Sequence, residues 1–288
     1  HNAHNFVSRG SRQLATSCVE IGAMRQLARS RRLLVATHNI MDGLHLEKLL
    51  PAYRALHRAE QIGVLCVQED SVRSSARIAA ALGGSFRVAR HGGAPRLGVV
   101  YDGSRLAPPL LRVLQLPRLT QVPAWQRALY VPTLPPPPTA LIARFARFTL
   151  LNFHVDAGGD EPHRASQLRA LASAVPTSAA PVVACGDTNA FTWDAAAAEP
   201  SLARMLAPLR QRHGAHDAHA AAPTPTHFFA RADEPKLGHQ LAVMVGRLGL
   251  DLPRRYDVVC AAPRAVEAHG RVRTPDSDHD CVWARLRI

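Results

Sequence analysis

Residues 181–189 read Pro181-Val182-Val183-Ala184-Cys185-Gly186-Asp187-Thr188-Asn189. An apolar run of this length, bounded by Gly and Asn, is a buried strand. It ends on a carboxylate and a carboxamide, which sets polar groups at the rim of the core. The pattern recurs along the chain. Leu33-Leu34-Val35-Ala36-Thr37 runs into His38-Asn39, Ile62 to Val67 into Gln68-Glu69-Asp70, and Phe148 to Phe153 into His154. Arg255-Tyr256-Asp257 opens a further strand, and Ser277-Asp278-His279 immediately precedes the last. One polar strand end is an ordinary turn or helix cap. Six of them, carrying carboxylates, carboxamides and two histidines, predict convergence on one site.

Outward from these strands the spacing predicts helices over Leu46–Arg58, Val72–Leu82, Pro162–Ala174 and Leu202–Leu209. Strands are predicted at Phe86–Ala89, Leu97–Tyr101, Leu141–Phe145 and Cys281–Leu286. Helices interspersed among strands, with few hairpin signals, predict a layered α/β sandwich. Pro135 to Pro138 can be neither helix nor central strand and reads as a rigid loop. His213, His216 and His219 stand three apart near Asp217, as helical metal ligands do. Their segment is rich in Ala, Pro and Gly and lacks periodicity, so a solvated loop is expected. Trp125, Trp193 and Trp283 read as packing residues.

Two regions are expected. Residues 1–32 form a basic extension with Arg9, Arg12, Arg25, Arg29, Arg31 and Arg32 against Glu20 alone; Leu14, Cys18, Ile21, Met24 and Leu27 recur there at helical spacing. A targeting role for this segment stays open. Residues 33–288 form one domain. With 288 residues, 47% of them hydrophobic and 20% charged, the chain can bury a large core without disulfides. No run approaches the ~18 apolar residues of a membrane-spanning helix. Five scattered cysteines without a CxxC pair argue against a disulfide scaffold or a structural zinc site, and favour a reducing, cytoplasmic setting. The net charge is +13, yet among 35 basic residues only Lys48 and Lys236 are lysine. Such an arginine bias beside abundant alanine and proline is first a compositional trait. What it leaves is a surface that attracts polyanions, nucleic acid included.

If the polar strand ends converge, their oxygens suit Mg²⁺ or Mn²⁺, and nearby imidazoles serve as acid or base near neutral pH. Together these residue types point to attack of water on a phosphate ester.

The ordered set Asn39, Gln68-Glu69, His154, Gly186-Asp187-Thr188-Asn189, Tyr256-Asp257 and Ser277-Asp278-His279 resembles the endonuclease/exonuclease/phosphatase superfamily, with its DNase-I-like fold. The resemblance covers residues 33–288 and includes the pair Arg164 and Gln167 after His154. It implies a four-layer αββα sandwich of two packed mixed sheets, and a Mg²⁺- or Mn²⁺-dependent phosphoric ester hydrolase. It casts Glu69 as principal metal ligand, supported by Asn39 and Asp278. Asp187 and Asn189 match the pair that orients the attacking water. His279 resembles the catalytic histidine, Asp257 the carboxylate that polarises it, and His154 the second histidine on a phosphate oxygen. Arg127 and Arg164 are candidate phosphate contacts. Two departures shape the substrate expectation: Met41 stands where many repair enzymes have an acid, and His154 where they have a Tyr- and Pro-containing motif. An abasic-site endonuclease is therefore disfavoured. The branch with DNase I, deadenylases, sphingomyelinases and phosphoinositide phosphatases is favoured, with a nuclease-like phosphodiester substrate ahead of a phospholipid or inositol phosphate. A catalytically dead scaffold is the contrary reading, opposed by competent residues at every catalytic position.

Overall fold

The structure, a computed structural model, describes residues 32–71, 73–120, 138–177, 180–190, 195–228, 254–274 and 277–288. Arg127, Trp125, Trp193, the prolines 135–137 and the N-terminal residues 1–31 lie outside the described residues.

Among the described residues twelve strands form two six-stranded sheets. They are β1 (Arg32–Asn39), β2 (Ile62–Gln68), β3 (Phe86–Ala89), β4 (Leu97–Asp102), β5 (Leu110–Gln115), β6 (Thr139–Arg144), β7 (Thr149–His154), β8 (Val182–Asp187), β9 (His216–Asp217), β10 (Asp257–Ala261), β11 (Val266–Val272) and β12 (Cys281–Arg287). The first sheet runs β11-β12-β1-β2-β4-β3 and the second β5-β6-β7-β8-β10-β9. Each is mixed: β1–β2 and β7–β8 are parallel, the other pairs antiparallel. Both parallel pairs are joined through a helix, α1 (Leu46–Glu60) and α3 (Glu161–Ser173) respectively, as parallel neighbours require.

Three apolar clusters define four layers. Val35, Val64, Cys66, Leu141, Val183, Cys185, Val259 and Val282 interlock between the sheets. On the outer face of the first sheet, α1 and α2 (Ser74–Leu82) bury Leu49, Tyr53 and Ile78 against Leu34, Leu65 and Val67. On the outer face of the second, α3 and α4 (Ala195–His213) bury Leu168, Leu171, Leu202, Met205 and Leu209 against Leu151, Phe153 and Val258. In α1, Leu46, Leu49, Leu50, Tyr53 and Leu56 make the inward stripe at helical spacing. The Asp160 carboxylate caps α3 by accepting the His163 N–H at 2.8 Å, with Pro162 in the first turn. The fold is the αββα sandwich. Cys66, Cys185, Cys260 and Cys281 are free and buried, apolar in role. Among the described residues no helix is long and apolar enough to cross a membrane.

Several elements differ from the sequence expectation. α4 extends well beyond Leu202–Leu209 and passes through Pro200 and Pro208, whose presence masks its helical period. Strands β5 and β11 are half-exposed, so pairing rather than an apolar run defines them. His213, His216 and His219 are not a solvated loop. His213 ends α4 with Nε2 2.8 Å from the Ala172 carbonyl, His216 belongs to the edge strand β9, and His219 is buried edge-on against His269. Apolar packing on β10 and β11 draws this Ala-rich stretch in despite its lack of period.

Candidate active site

The topology gathers the polar strand ends. Asn39 and Gln68 pair at the ends of parallel β1 and β2, and His154 and Asp187 at the ends of parallel β7 and β8. Asp257 opens β10 opposite Asp187 because that pair is antiparallel, and His279 stands two residues before β12. All six predicted positions therefore lie along one edge of the sandwich.

Beneath them a buried amide network ties the sheets together. Gln68 Nε2 donates to Asn152 Oδ1 at 2.6 Å and to Thr37 Oγ1 at 2.9 Å. Asn152 Nδ2 donates to the Val67 and Gly98 carbonyls at 3.2 and 2.8 Å. The residue after Gln68 is Glu69, with φ 51°, and Asn189 at the end of β8 has φ 45°. Left-handed backbone is ordinary for Asn and costly for Glu, and such strain collects at functional sites.

Asp187 is the hub. Its Oδ1 accepts the Asn189 N–H at 2.7 Å, and its Oδ2 accepts Asn39 Nδ2 at 3.0 Å. The same Oδ2 lies 3.7 Å from both His154 Nε2 and His279 Nε2. Burial alone would raise this carboxyl; His279, His154, Asn39 and the Asn189 N–H outweigh it and hold Asp187 below the usual carboxylate range. His279 Nδ1 meets Asp257 Oδ2 at 2.8 Å. Burial works against its charge, yet Asp257, Asp278 and Asp187 together raise the imidazole well above its ordinary value. Asp257, wholly enclosed, is pushed up to about 6 by burial in spite of His279. With Nδ1–H given to Asp257, the Nε2–H of His279 faces Asp187.

The loop carrying His279 is itself held. Ser277 Oγ accepts the His279 N–H at 3.2 Å, and His38 Nε2 lies 3.1 Å from the His279 carbonyl. Burial lowers His38 to about 3, so its ring is neutral. Nε2 must donate to that carbonyl, which leaves Nδ1 to accept from the Tyr53 hydroxyl at 2.6 Å.

Glu69 sits at the mouth with His154, its Oε1 3.9 Å from His154 Nε2. Its other oxygen is held by Arg96 Nη2 at 3.1 Å, which also reaches Asp42 Oδ1 at 2.7 Å. Asn189 commits its side-chain Nδ2 to the Val155 carbonyl at 2.9 Å. Arg164 is buried, with Nε 3.2 Å from the Asp156 carbonyl, so its observed contact is with the loop after His154. Asp278 faces inward, its Oδ1 4.0 Å from His279 Nε2 and its Oδ2 3.4 Å from His227 Nε2. His227 and Arg96 are absent from the sequence expectation. His227 comes from the irregular stretch, and its place is set by backbone bridges to Arg254 and His279, a long-range event without local signature.

The donor set suits a hard divalent cation: the carboxylates of Glu69 and Asp278 and the Asn39 carboxamide all offer oxygens. Asp257 Oδ1 is buried with no hydrogen-bond partner among the described residues. Three enclosed carboxylates surround one imidazolium, a surplus of negative charge that a cation offsets.

No protein-family model matches the chain, and no curated protein sequence matches it. Solved structures do. An endonuclease/exonuclease/phosphatase from Bacteroides vulgatus superposes with a TM-score of 0.60 at 15% identity, covering 89% of this chain and 99% of its own. A mannosyl-6-phosphatase from Bacteroides thetaiotaomicron gives 0.56 at 14%, over 89% and 100%. D. rerio TDP2 complexed with a single-strand DNA product gives 0.55 at 14%, over 89% and 99%. The shared fold is the DNase-I-like sandwich.

Proposed function

We propose that the protein is a divalent-metal-dependent phosphoesterase that hydrolyses a phosphodiester by in-line attack of water. The observation that carries this reading is the convergence of His154 and His279 on one Asp187 oxygen, with Asp257 behind His279. Asp187, ionised and held from both sides, takes the proton of the attacking water. The Oδ1 of Asn189 is placed by the bond from its Nδ2 to Val155 and accepts the water's second hydrogen. His279, protonated and fixed through Nδ1 by Asp257, donates from Nε2 to a phosphoryl oxygen as charge develops. His154 donates from the opposite side. Donors aimed at developing charge in an enclosed site are worth several kcal/mol of barrier each (~3).

Glu69 and Asn39, with Asp278, would hold Mg²⁺ or Mn²⁺, which when bound neutralises charge on the phosphoryl oxygens. Arg164 steadies the loop behind His154, and Arg127 remains a candidate phosphate contact. Within this reaction class a nuclease-like substrate is favoured by the +13 charge alone. The fold neighbours include one described with a DNA product and one described as a sugar phosphatase, so the assay must span both.

The test is Mg²⁺- or Mn²⁺-dependent hydrolysis of plasmid DNA, single-stranded RNA, bis-p-nitrophenyl phosphate, sphingomyelin, an inositol polyphosphate and mannose 6-phosphate. Wild type and His279→Ala are run side by side. Metal-dependent turnover of a diester, lost in the variant, is the expected result. Turnover of monoesters alone would replace the diester reading, and silence across the panel would favour a scaffold.

A further inference from the structure

The wall behind His279 holds a second imidazole that the hydrolytic scheme leaves unused. His227 is buried, stacks on Tyr256 (centroids 4.5 Å apart, 25° between planes) and meets His279 edge-on at 4.6 Å. Its Nε2 lies 3.4 Å from Asp278 Oδ2, while the other Asp278 oxygen lies 4.0 Å from His279 Nε2. One ligand atom from each of His227, Asp278 and His279 falls within 4.8 Å of the others, and all three residues are buried.

We propose that His227, Asp278 and His279 form a site for a borderline transition ion such as Zn²⁺ or Co²⁺, different in donor chemistry from the all-oxygen set around Glu69, with which it shares Asp278. Two imidazole nitrogens and one carboxylate favour such an ion over Mg²⁺, which keeps to oxygen ligands. The surroundings match a metal-binding histidine: His279 gives Nδ1–H to Asp257, which fixes the ring with Nε2 between Asp187 and Asp278, at 3.7 and 4.0 Å, as outer carboxylates do for metal-bound imidazoles. Packing against Tyr256 fixes the His227 ring, so little ordering remains to be done on binding. Both rings ligate through Nε2 as neutral imidazoles: His279 releases its Nε2 proton to solvent and keeps Nδ1–H on Asp257, while His227, whose charged form burial already disfavours, carries its one proton on Nδ1. On the hydrolytic reading above, an ion on His279 Nε2 removes the donor to the phosphoryl oxygen. The site is therefore inhibitory.

The test titrates Co²⁺ into the whole protein held in millimolar Mg²⁺, with no substrate present, and records the visible spectrum. Wild type is expected to bind one equivalent with the intense bands of a four-coordinate, nitrogen-containing site. His227→Phe keeps an aromatic ring on Tyr256 and removes one ligand. Loss of an outer partner of a metal ligand already costs about 10–100-fold in affinity, so loss of His227 should cost at least tenfold. Weak octahedral absorption in wild type, or an unchanged titration in His227→Phe, would overturn the proposal; the first result needs no variant to fold. A second arm measures Zn²⁺ inhibition of Mg²⁺-supported hydrolysis. Co²⁺ binding without any hydrolysis would uphold this site and defeat the hydrolytic reading. Hydrolysis without a four-coordinate Co²⁺ spectrum would do the reverse.

Discussion

Replacing Asn152 by Ala would show how far the site depends on the amide network beneath it. Asn152 is wholly buried in the second sheet, and it links Gln68, Val67 and Gly98 of the first. Its removal takes three hydrogen bonds at once. Gln68 keeps only its exchange with Thr37, and two carbonyls lose a donor. A buried group left unsatisfied costs about 1–3 kcal/mol, and the carbonyls keep a share of the β2–β4 ladder. A total of about 3 kcal/mol follows. At about 2–4 °C per kcal/mol for a chain of this size, Tm should fall by about 6–12 °C by circular dichroism. Because Gln68 leads into the left-handed Glu69, Mn²⁺ affinity measured by calorimetry should weaken with it. A second variant separates lost bonds from lost volume. Thr37→Val, Gln68→Leu and Asn152→Leu combined replace the whole network by apolar groups, and should be less destabilising than Asn152→Leu alone. A Tm for Asn152→Ala within 1 °C of wild type, or a triple variant worse than the single, would refute the reasoning.

Gly186→Ala should be severe, because a Cβ there runs into the Phe153 carbonyl oxygen and comes within 2.8 Å of its ring. Overpacking against backbone costs about 3 kcal/mol or more, read as a Tm loss of at least ~6 °C; unchanged melting would reject that contact. The pH profile should fall on its acid side near pH 6, where Asp257 takes a proton and ceases to support the charged His279. The stability linkage has the opposite sign. A carboxyl raised from 3.8 to about 6 favours the folded state fully below pH ~4, and that contribution disappears as pH rises through 6. An Asp257→Asn enzyme that retains the same acid limb would exclude this group. Arg255 is buried between Asp217, also buried, and Glu199, which is 41% exposed. Asp217→Ala removes one buried, charge-assisted bond while Glu199 still pairs with Arg255, and should destabilise by about 1.5–3 kcal/mol; a loss under about 0.5 kcal/mol in chemical denaturation would contradict this.

The strand ends were legible in the sequence because an apolar strand that stops on Asp or Asn departs from what a core tolerates. Asn39, His154, Asp187, Asp257 and His279 signal themselves in this way, and parallel pairing alone puts Asn39 beside Gln68 and His154 beside Asp187. The sandwich was legible for a similar reason: β1, β2, β8 and β10 are buried on both faces and read as unbroken apolar runs. Half-exposed β5 and β11 carry no such run. His227 and Arg96 were hidden because nothing near them in sequence marks them. His227 is positioned by bridges to Arg254 and His279, and Arg96 by carboxylates of two other segments. Arg164 shows the converse. Its guanidinium, expected on phosphate because the two geometries match, is buried with Nε on the Asp156 carbonyl, a contact that nothing in the local sequence marks.

The place of β12 has a consequence for how the protein is made. It is the last of the described strands, yet it lies between β11 and β1, with Leu33 opposite Leu286 and Thr37 opposite Val282. Until those residues have left the ribosome, β1 presents an open, strongly apolar edge to its surroundings. Pairings that span nearly the whole chain are slow to form. The newborn protein therefore passes through an interval in which one sheet has all its described strands and the other lacks the strand that joins β11 to β1, and chaperone engagement should concentrate there. The histidine two residues before β12 takes its position only when that interval closes, so the site proposed above is not assembled until the first sheet is whole.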